Sequence, residues 1–250
     1  MKPYLSVIIP SYNEMKNIKR NVLDEVLTYL KKQDYAWEVL LSDDGSTDGT
    51  TAELEAFAKK DKGVKVIKNI HAGKGPTVQS GMLKAEGEWV LFTDFDQSTP
   101  ISEIEKLFKY KKSHQVIIGS REISGAQRDK EPLHRHIMGK GFNFLVQTLA
   151  IPGIHDTQCG FKLFQNHACA DIFSNLVVYG RSEERHDAFT GAFDVEALYL
   201  ANKKGYKVKE VPIIWHHNET DRVSPLKDSV RMLRDIIKVR ITDLLGKYSK

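Results

Sequence analysis

Five short apolar runs, at residues 5–9, 39–41, 64–67, 89–93 and 116–118, are rich in β-branched side chains, and each stops at a polar or glycine-rich turn before a helical pattern begins. Continuous apolar strands are buried on both faces, and strands that alternate with helices pair in parallel because each crossover needs a helix to bring the chain back. The rhythm predicts an α/β fold with a mainly parallel sheet and helices on both faces. Two local signals agree: Thr50-Thr51-Ala52-Glu53 reads as a capping box, and Thr99-Pro100 sets a cap residue before a proline at the first helical position. Beyond Gly119 the rhythm loosens. A charged loop at 121–131 leads to an expected helix at 133–150, an irregular strand at 158–164, a helix at 193–204, an alternating strand at 206–214 and a long amphipathic helix from 225 to about 245. No linker separates these segments, so one domain spanning 1–250 is expected.

The chain has 250 residues, 41% hydrophobic and 28% charged, enough for a sizeable core and too apolar for disorder. Two cysteines, Cys159 and Cys169, cannot frame a disulfide network and lack zinc-site spacing, which fits a reducing compartment. The first 14 residues carry one lysine before an apolar run that ends at Pro10, without a small-residue cleavage site, so no signal peptide is expected. The longest uncharged run, 141–154, has 14 residues and contains Pro152 and Gly153, short of the ~20 that span a bilayer. Charge is uneven: residues 203–250 hold 12 Lys/Arg against 6 Asp/Glu, a surplus of +6, while the whole chain is formally +4, leaving −2 for the rest. A basic end suits an anionic partner, and equally a solvated helix face.

Ligands in open α/β sheets gather at the carboxyl ends of strands. Here the first strand ends in Pro-Ser-Tyr-Asn-Glu (10–14), the second in Asp-Asp-Gly-Ser-Thr-Asp-Gly-Thr (43–50), the fourth in Asp94-Phe95-Asp96 and the fifth in Gly119-Ser120-Arg121. So many carboxylates at one edge repel each other unless a cation or donor-rich ligand offsets them. Asp94 and Asp96 lie within reach of one hard divalent cation that keeps positions free for phosphate oxygens. An Asp-x-Asp pair alone is common by chance; the ordered set of strand ends is what carries weight. No GxGxxG follows the first strand, and Gly73-Lys74-Gly75 is not a P-loop, because Gly75 stands where Ser or Thr would hold magnesium. Dehydrogenase and P-loop NTPase readings are set aside.

Taken in order, PSYNE, DDGSTDGT, GKG, the Asp-x-Asp pair with its following STP, GSR, DTQCGFK (156–162) and FDVE (193–196) resemble family 2 glycosyltransferases, most of all the branch that glycosylates dolichyl or polyprenyl phosphate. The match runs from about residue 4 to about residue 243. It implies the GT-A nucleotide-sugar fold, with a nucleotide-binding half at about 1–121 and an acceptor half at about 122–250. By resemblance, Pro10, Tyr12 and Glu14 line the base and ribose pocket, Asp43 and Asp44 contact the nucleotide, and Lys74 flanks it. Asp94 and Asp96 match the carboxylates that handle a diphosphate bound to magnesium or manganese. Arg121, Arg135 and Asn143 match acceptor-phosphate positions, Gln158 lies near the sugar, and Arg222 falls where a basic residue closes over the diphosphate. Ser98 stands where some relatives carry a metal-associated Gln, Gly139 where the branch has a Ser, and 179–191 looks inserted before FDVE.

The implied activity is inverting transfer of glucose or mannose from a UDP- or GDP-sugar to a polyprenyl phosphate, by a peripheral protein on the cytoplasmic face of a membrane, with a membrane-anchored partner as an option and no nucleic acid. The chemistry is coherent: a departing nucleoside diphosphate needs a cation and Lys or Arg to hold its charge, and an acceptor phosphate, with a second pKa of roughly 6, is already an anion. Two rivals stand. A soluble relative acting on a sugar or protein hydroxyl needs a general base, for which Asp156 or Asp194 are the candidates. A nucleotide-sugar sensor or scaffold would be expected to lose the Asp-x-Asp pair. His216 and His217 read as surface or packing residues and Cys159 as a small buried one. The C-terminal helix sets Val230, Leu233, Ile237 and Leu244 against Arg231, Arg234, Lys238 and Arg240, and the segment 136–150 is similar; contact with a lipid interface and docking on the sheet are both open for each.

Overall fold

A computed structural model describes residues 2–129, 151–180, 191–218 and 225–248. Its strands are β1 (Leu5–Ser11), β2 (Trp37–Asp43), β3 (Val64–Lys68), β4 (Trp89–Thr93), β5 (Val116–Ser120), β6 (Gln127–Arg128), β7 (Phe161–Gln165), β8 (Val208–Pro212) and β9 (Ile214–Trp215). Its helices are α1 (Met15–Ile18), α2 (Val22–Leu30), α3 (Thr50–Ala58), α4 (Lys74–Lys84), α5 (Ile104–Phe108), α6 (Asn166–Ser174), α7 (Phe193–Lys203) and α8 (Pro225–Leu244). Seven strands form one sheet in the order β3-β2-β1-β4-β7-β5-β8, and β6 and β9 form a separate small ladder. Strands from both halves of the chain share the large sheet, since β8 pairs with β5. The strand order reverses between β1 and β4, which run parallel, and a crevice at such a switch point is where α/β sheets bind ligands.

Alternation along each strand divides the core in two. Ile8, Leu40, Val90 and Phe92 face one side, with α4, α6, α7 and α8 packed over them. Val7, Ile9, Leu41 and Leu91 face the other, covered by α2, α3 and α5. Helix α2 buries Val22, Leu23, Val26, Leu27 and Leu30, the stripe of a helix docked along one side.

The expected helices-on-both-faces sheet is what forms, with local differences. β7 enters between β4 and β5 antiparallel to both, so the second half of the chain is threaded into the sheet. Thr50 does not open a capping box. Gly49, at φ +96°, is the N-cap, and Thr50 lies inside the helix. The reason is a division of labour: Asp48 Oδ1 accepts the Thr50 N–H at 3.0 Å, freeing the Thr50 hydroxyl to accept the Glu14 N–H at 2.7 Å. Pro100 likewise stands at the N-cap of a 3₁₀ turn, Ile101–Glu103, that leads into α5, one position earlier in that turn than expected. The strand expected at 206–214 is two strands: β8 pairs with β5, and from the buried Ile213, whose carbonyl accepts the Gln127 N–H at 3.0 Å, the chain changes partner and β9 pairs with β6. Helix 133–150 lies outside the described residues.

Candidate active site

The turns after β1, β2 and β3 are knitted to each other by side chains. Asp43 accepts the hydroxyls of Ser11 (3.0 Å), Ser46 (2.6 Å) and Thr51 (2.7 Å). Asp44 accepts the N–H groups of Ala72 and Gly73 at 2.9 and 3.1 Å and pairs with His71 Nδ1 at 2.9 Å. Both aspartates are buried, so in this conformation their carboxylates are engaged by the protein and shape the pocket through the turns they tie. The Tyr12 ring stacks on His71 at 4.2 Å and 6°. Its fixed plane and the buried His71 Nε2, which has no hydrogen-bond partner among the described residues, make a flat wall with a polar point. Pro10 is buried in β1 beside Ser42, and the nearly buried Glu14 accepts the Asn17 side-chain amide at 2.6 Å.

A charge cluster lies at the switch point itself. Lys74, the first residue of α4, donates to Asp94 Oδ1 at 2.6 Å. Lys162 of β7, fully buried, reaches Asp194 Oδ1 at 2.5 Å in the first turn of α7. Both ammonium groups sit on the Phe92 ring, at 5.5 and 5.8 Å from its centre. Burial opposes the charge on Lys74, yet Asp94, Asp194 and Asp96 around it hold its pKa above the usual lysine value. Burial, and then the charge of Asp94, lift Asp96 above the usual carboxylate range. Burial likewise raises Asp194, against the pull of Lys162 and Lys74. The Asp-x-Asp turn is tightly held: Gln97 sits at φ +50°, its amide donates to Asp94 O at 2.8 Å, Ser98 N–H donates to Asp96 Oδ1 at 2.9 Å, and Asn218 donates to Asp96 O and Ser98 Oγ, both at 3.1 Å.

Arg121 faces this cluster from the end of β5. Its Nε and Nη2 grip Asp156 Oδ2 and Oδ1 at 2.7 and 2.9 Å, its N–H adds a third bond to Oδ2, and its guanidinium lies over Trp215. Burial opposes ionisation of Asp156, but the charge and hydrogen bonds of Arg121 outweigh it and hold the carboxyl below the usual range. Asp156 is therefore a poor proton acceptor. Nearby, Gln158 Nε2 is a buried donor with no hydrogen-bond partner among the described residues. Burial pushes the Cys159 thiol up to about 12, so it is inert packing. His216 contacts Asp129 at the surface and the His217 ring lies against Trp215. Arg135, Asn143 and Arg222 lie outside the described residues.

Among the described residues no three His, Cys, Asp or Glu side chains converge as a metal cage. What Asp94 and Asp96 offer is a pair of crowded carboxylates, one lifted by burial and then by its neighbour's charge. That donor set fits magnesium or manganese, which complete their shells with water and phosphate oxygens.

The family model described as Glycosyl transferase family 2 matches residues 6–173. The chain belongs to glycosyl transferase family 2. Over 97–98% of its length the enzyme is 35% identical to the dolichyl-phosphate beta-glucosyltransferase of Saccharomyces cerevisiae, 34% to that of Homo sapiens and 33% to that of Dictyostelium discoideum, covering 76–77% of each. Among solved structures, glucosyl-3-phosphoglycerate synthase from Mycobacterium tuberculosis with UDP superposes at a TM-score of 0.65 with 16% identity, over 95% of this chain and 80% of that one. A mannosyltransferase from Pyrobaculum calidifontis, in complex with GDP-Man and Mn2+, gives 0.57 with 18% identity, over 97% and 71%. The fold is GT-A, and the enzyme is a glycosyltransferase.

Three residues of this transferase's site are given no role by the sequence, although two of them, Gly160 and Lys162, lie inside the DTQCGFK run. Lys162 had a signal, a single charge inside the apolar strand FKLF, which requires a buried partner. His71 had none, since nothing local shows that it will stack on Tyr12. Gly160 belongs to the DTQCGFK motif, but nothing in the sequence shows that a Cβ there would meet Asp94 Oδ2 at 1.9 Å.

The Arg121–Asp156 pair yields a stability prediction. Removing one member of a buried ion pair strands the other, at about 3–5 kcal/mol, so Asp156→Asn should lower the urea midpoint markedly at pH 7. Because the folded pKa of Asp156 is depressed, its contribution is fully present above the unfolded value of about 3.9 and is lost as pH falls through the folded one. The gap between wild type and variant should hold from neutral pH to about 5 and close below about 4. An unchanged gap at the acid end would show that the charge is not what the pair contributes.

Proposed function

We propose that the enzyme transfers glucose, with inversion, from UDP-glucose to a dolichyl or related polyprenyl phosphate, and that it works at a membrane surface as a single unit with a nucleotide half (1–121) and an acceptor half (122–250). The observation that carries this reading is the 33–35% identity, over nearly the whole chain, to proteins named for that lipid acceptor and that sugar. Among the described residues no helix is long and apolar enough to cross a membrane, which suits peripheral attachment.

The chemistry of the site supports a phosphate acceptor over a hydroxyl. A hydroxyl must lose a proton to a base, and both candidates are ion-paired: Asp156 to Arg121 and Asp194 to Lys162. A phosphate oxygen needs no base. It attacks the anomeric carbon, the bond from that carbon to the diphosphate oxygen breaks, and the electron pair leaves with the nucleotide. Lys74 is placed to meet the charge that develops on the diphosphate, and Tyr12, His71 and Glu14 to bound the nucleoside. Arg121, with Arg135 and Asn143, is assigned to the acceptor phosphate, Gln158 to the sugar and Arg222 to closure over the diphosphate. Asp94 and Asp96 would hold magnesium or manganese, which when bound neutralises charge on the leaving diphosphate.

Purified enzyme given labelled UDP-glucose, manganese and dolichyl phosphate in detergent should form a lipid-linked glucose. GDP-mannose as donor, and an alkyl glucoside as hydroxyl acceptor, should each react at least about a hundredfold more slowly. Glucosylation of the hydroxyl acceptor without product from the lipid phosphate would overturn the reading.

A further inference from the structure

Helix α8 has two apolar faces, and among the described residues only one packs into the core. Ile236 and Val239 are fully buried against the sheet side of the core, with Met232 partly so. On the same side Asp235 accepts the Tyr179 hydroxyl at 2.6 Å and Asp243 that of Tyr199 at 2.5 Å. At about 100° per residue, Val230, Ile237, Ile241 and Leu244 fall within about 60° of one another on the opposite side. They are 69%, 46%, 49% and 81% exposed. Docking on the sheet, one of the two readings open from sequence, therefore accounts for 236 and 239 and leaves the outer stripe unexplained.

The charges around that stripe point to its occupant. Between residues 230 and 248 there are five basic side chains and two acids. Both acids, Asp235 and Asp243, bond to the tyrosines on the inner side. Arg231 and Arg234, both exposed, border the stripe along one flank with Lys238, which also pairs with Asp235 at 2.8 Å, whereas Arg240 is turned to the Tyr199 hydroxyl at 2.9 Å. A second copy docked through this stripe would bring the basic flanks of the two helices near each other. An anionic bilayer meets both demands at once, taking the apolar side chains below the headgroups and the cations among them.

The stripe is also tied to the catalytic edge. The Tyr179 hydroxyl, bonded to Asp235 of α8, accepts the Ala192 N–H at 2.6 Å, and Ala192 is the N-cap of the helix whose first turn carries Asp194. The Tyr179 ring packs where a Cβ on Gly75, next to Lys74, would lie 3.1 Å from it. A surface held by α8 is thus held in fixed relation to the lysine and carboxylate cluster.

We infer that the outward face of α8, Val230, Ile237, Ile241 and Leu244 with Arg231 and Arg234 beside them, is the surface by which this enzyme lies on an anionic membrane. The choice of a lipid surface over an acidic protein rests on the lipid-phosphate acceptor proposed above. The test is co-sedimentation of the full chain with phosphatidylcholine vesicles, with and without phosphatidylglycerol, in the absence of substrates. The enzyme should pellet with the anionic vesicles and release as salt rises. Partitioning should fall roughly tenfold or more in the pair Ile237→Glu/Leu244→Glu and in Arg231→Glu/Arg234→Glu. All four residues are surface-lying and outside the catalytic machinery, so each variant should keep its turnover with polyprenyl phosphate dissolved in detergent. That arm separates the two proposals: vesicle binding without any lipid-phosphate product would sink the acceptor assignment alone, and detergent turnover without vesicle binding would sink the surface alone. Equal binding to neutral and anionic vesicles, or variants that bind as wild type does, would also overturn it. So would a dimer in light scattering that Ile237→Glu/Leu244→Glu dissociates, which would give the stripe to a second copy.

Discussion

Asp96→Asn is expected to cut sugar transfer by about 10³-fold or more while leaving the protein as stable as wild type, or more so. The two halves of this expectation come from the same electrostatics. Asp96 is lifted above the usual carboxylate range, first by burial and then by the charge of Asp94. An acid whose folded pKa is raised binds its proton more tightly when folded, so its ionised form costs stability above the unfolded value of about 3.9. Asparagine removes that cost and keeps an oxygen for the Ser98 N–H, which bonds Asp96 Oδ1 at 2.9 Å. What it gives up is the second carboxylate of the pair proposed above to hold a divalent cation at the leaving diphosphate. Loss of such preorganised charge stabilisation costs 10²–10³ for a single hydrogen-bond donor, and a metal site weighs more. Three measurements check it: turnover, the melting temperature, and manganese binding by electron paramagnetic resonance in the presence of UDP. Wild-type turnover in this variant, or in excess chelator, would remove Asp96 from the diphosphate site. A large fall in melting temperature would mean that the carboxylate is structural.

How much of this was legible in the sequence depends on whether the information is local. The five strands of the first half were readable because each is a short run bounded by its own turn, and the turns carry the acids and glycines that gather at the switch point. The order of the sheet beyond β4 was not. Nothing in the residues of β7 says that it inserts antiparallel between β4 and β5, since FKLFQ suits any buried strand. The same limit explains Thr50, which carries a sound capping pattern that Asp48 pre-empts and whose hydroxyl is claimed by Glu14, 36 positions away. It explains His71 too, whose role arises from a Tyr12 ring brought to it by the pairing of β1, β2 and β3. For α8 the amphipathic pattern was plain, but periodicity gives the angles between residues and not which angle faces the core. The structure supplies that one number, and it separates Ile236 and Val239 from Val230, Ile237, Ile241 and Leu244.

Gly160→Ala should cost activity nearly as much as loss of the carboxylate it touches, although a single methyl group is all that changes. Gly160 precedes β7 and its carbonyl accepts the Asp94 N–H at 3.1 Å, so the two backbones are pinned side by side at the end of β4. A Cβ at position 160 would stand 1.9 Å from Asp94 Oδ2, 2.3 Å from Cγ and 2.6 Å from Oδ1. Those distances cannot persist, and the backbone cannot supply the relief because it is held by the β4–β7 ladder, Thr93 opposite Phe161. The Asp94 carboxylate must rotate away instead, breaking its 2.6 Å bond to Lys74. Misplacement of a reacting group by about 1 Å costs on the order of 10² in rate, and here both the carboxylate and its lysine move. Stability should change far less, since the strain is released by a partly exposed side chain at the rim of the sheet. A double-mutant cycle isolates the cause. If Gly160 acts by positioning Asp94, then in an Asp94→Ala background the added Gly160→Ala should cost almost nothing, because the group it displaces is gone. If the two losses simply multiply, the glycine matters for some other reason, and the conformation of Asp94 seen against it is not the one the enzyme uses in catalysis.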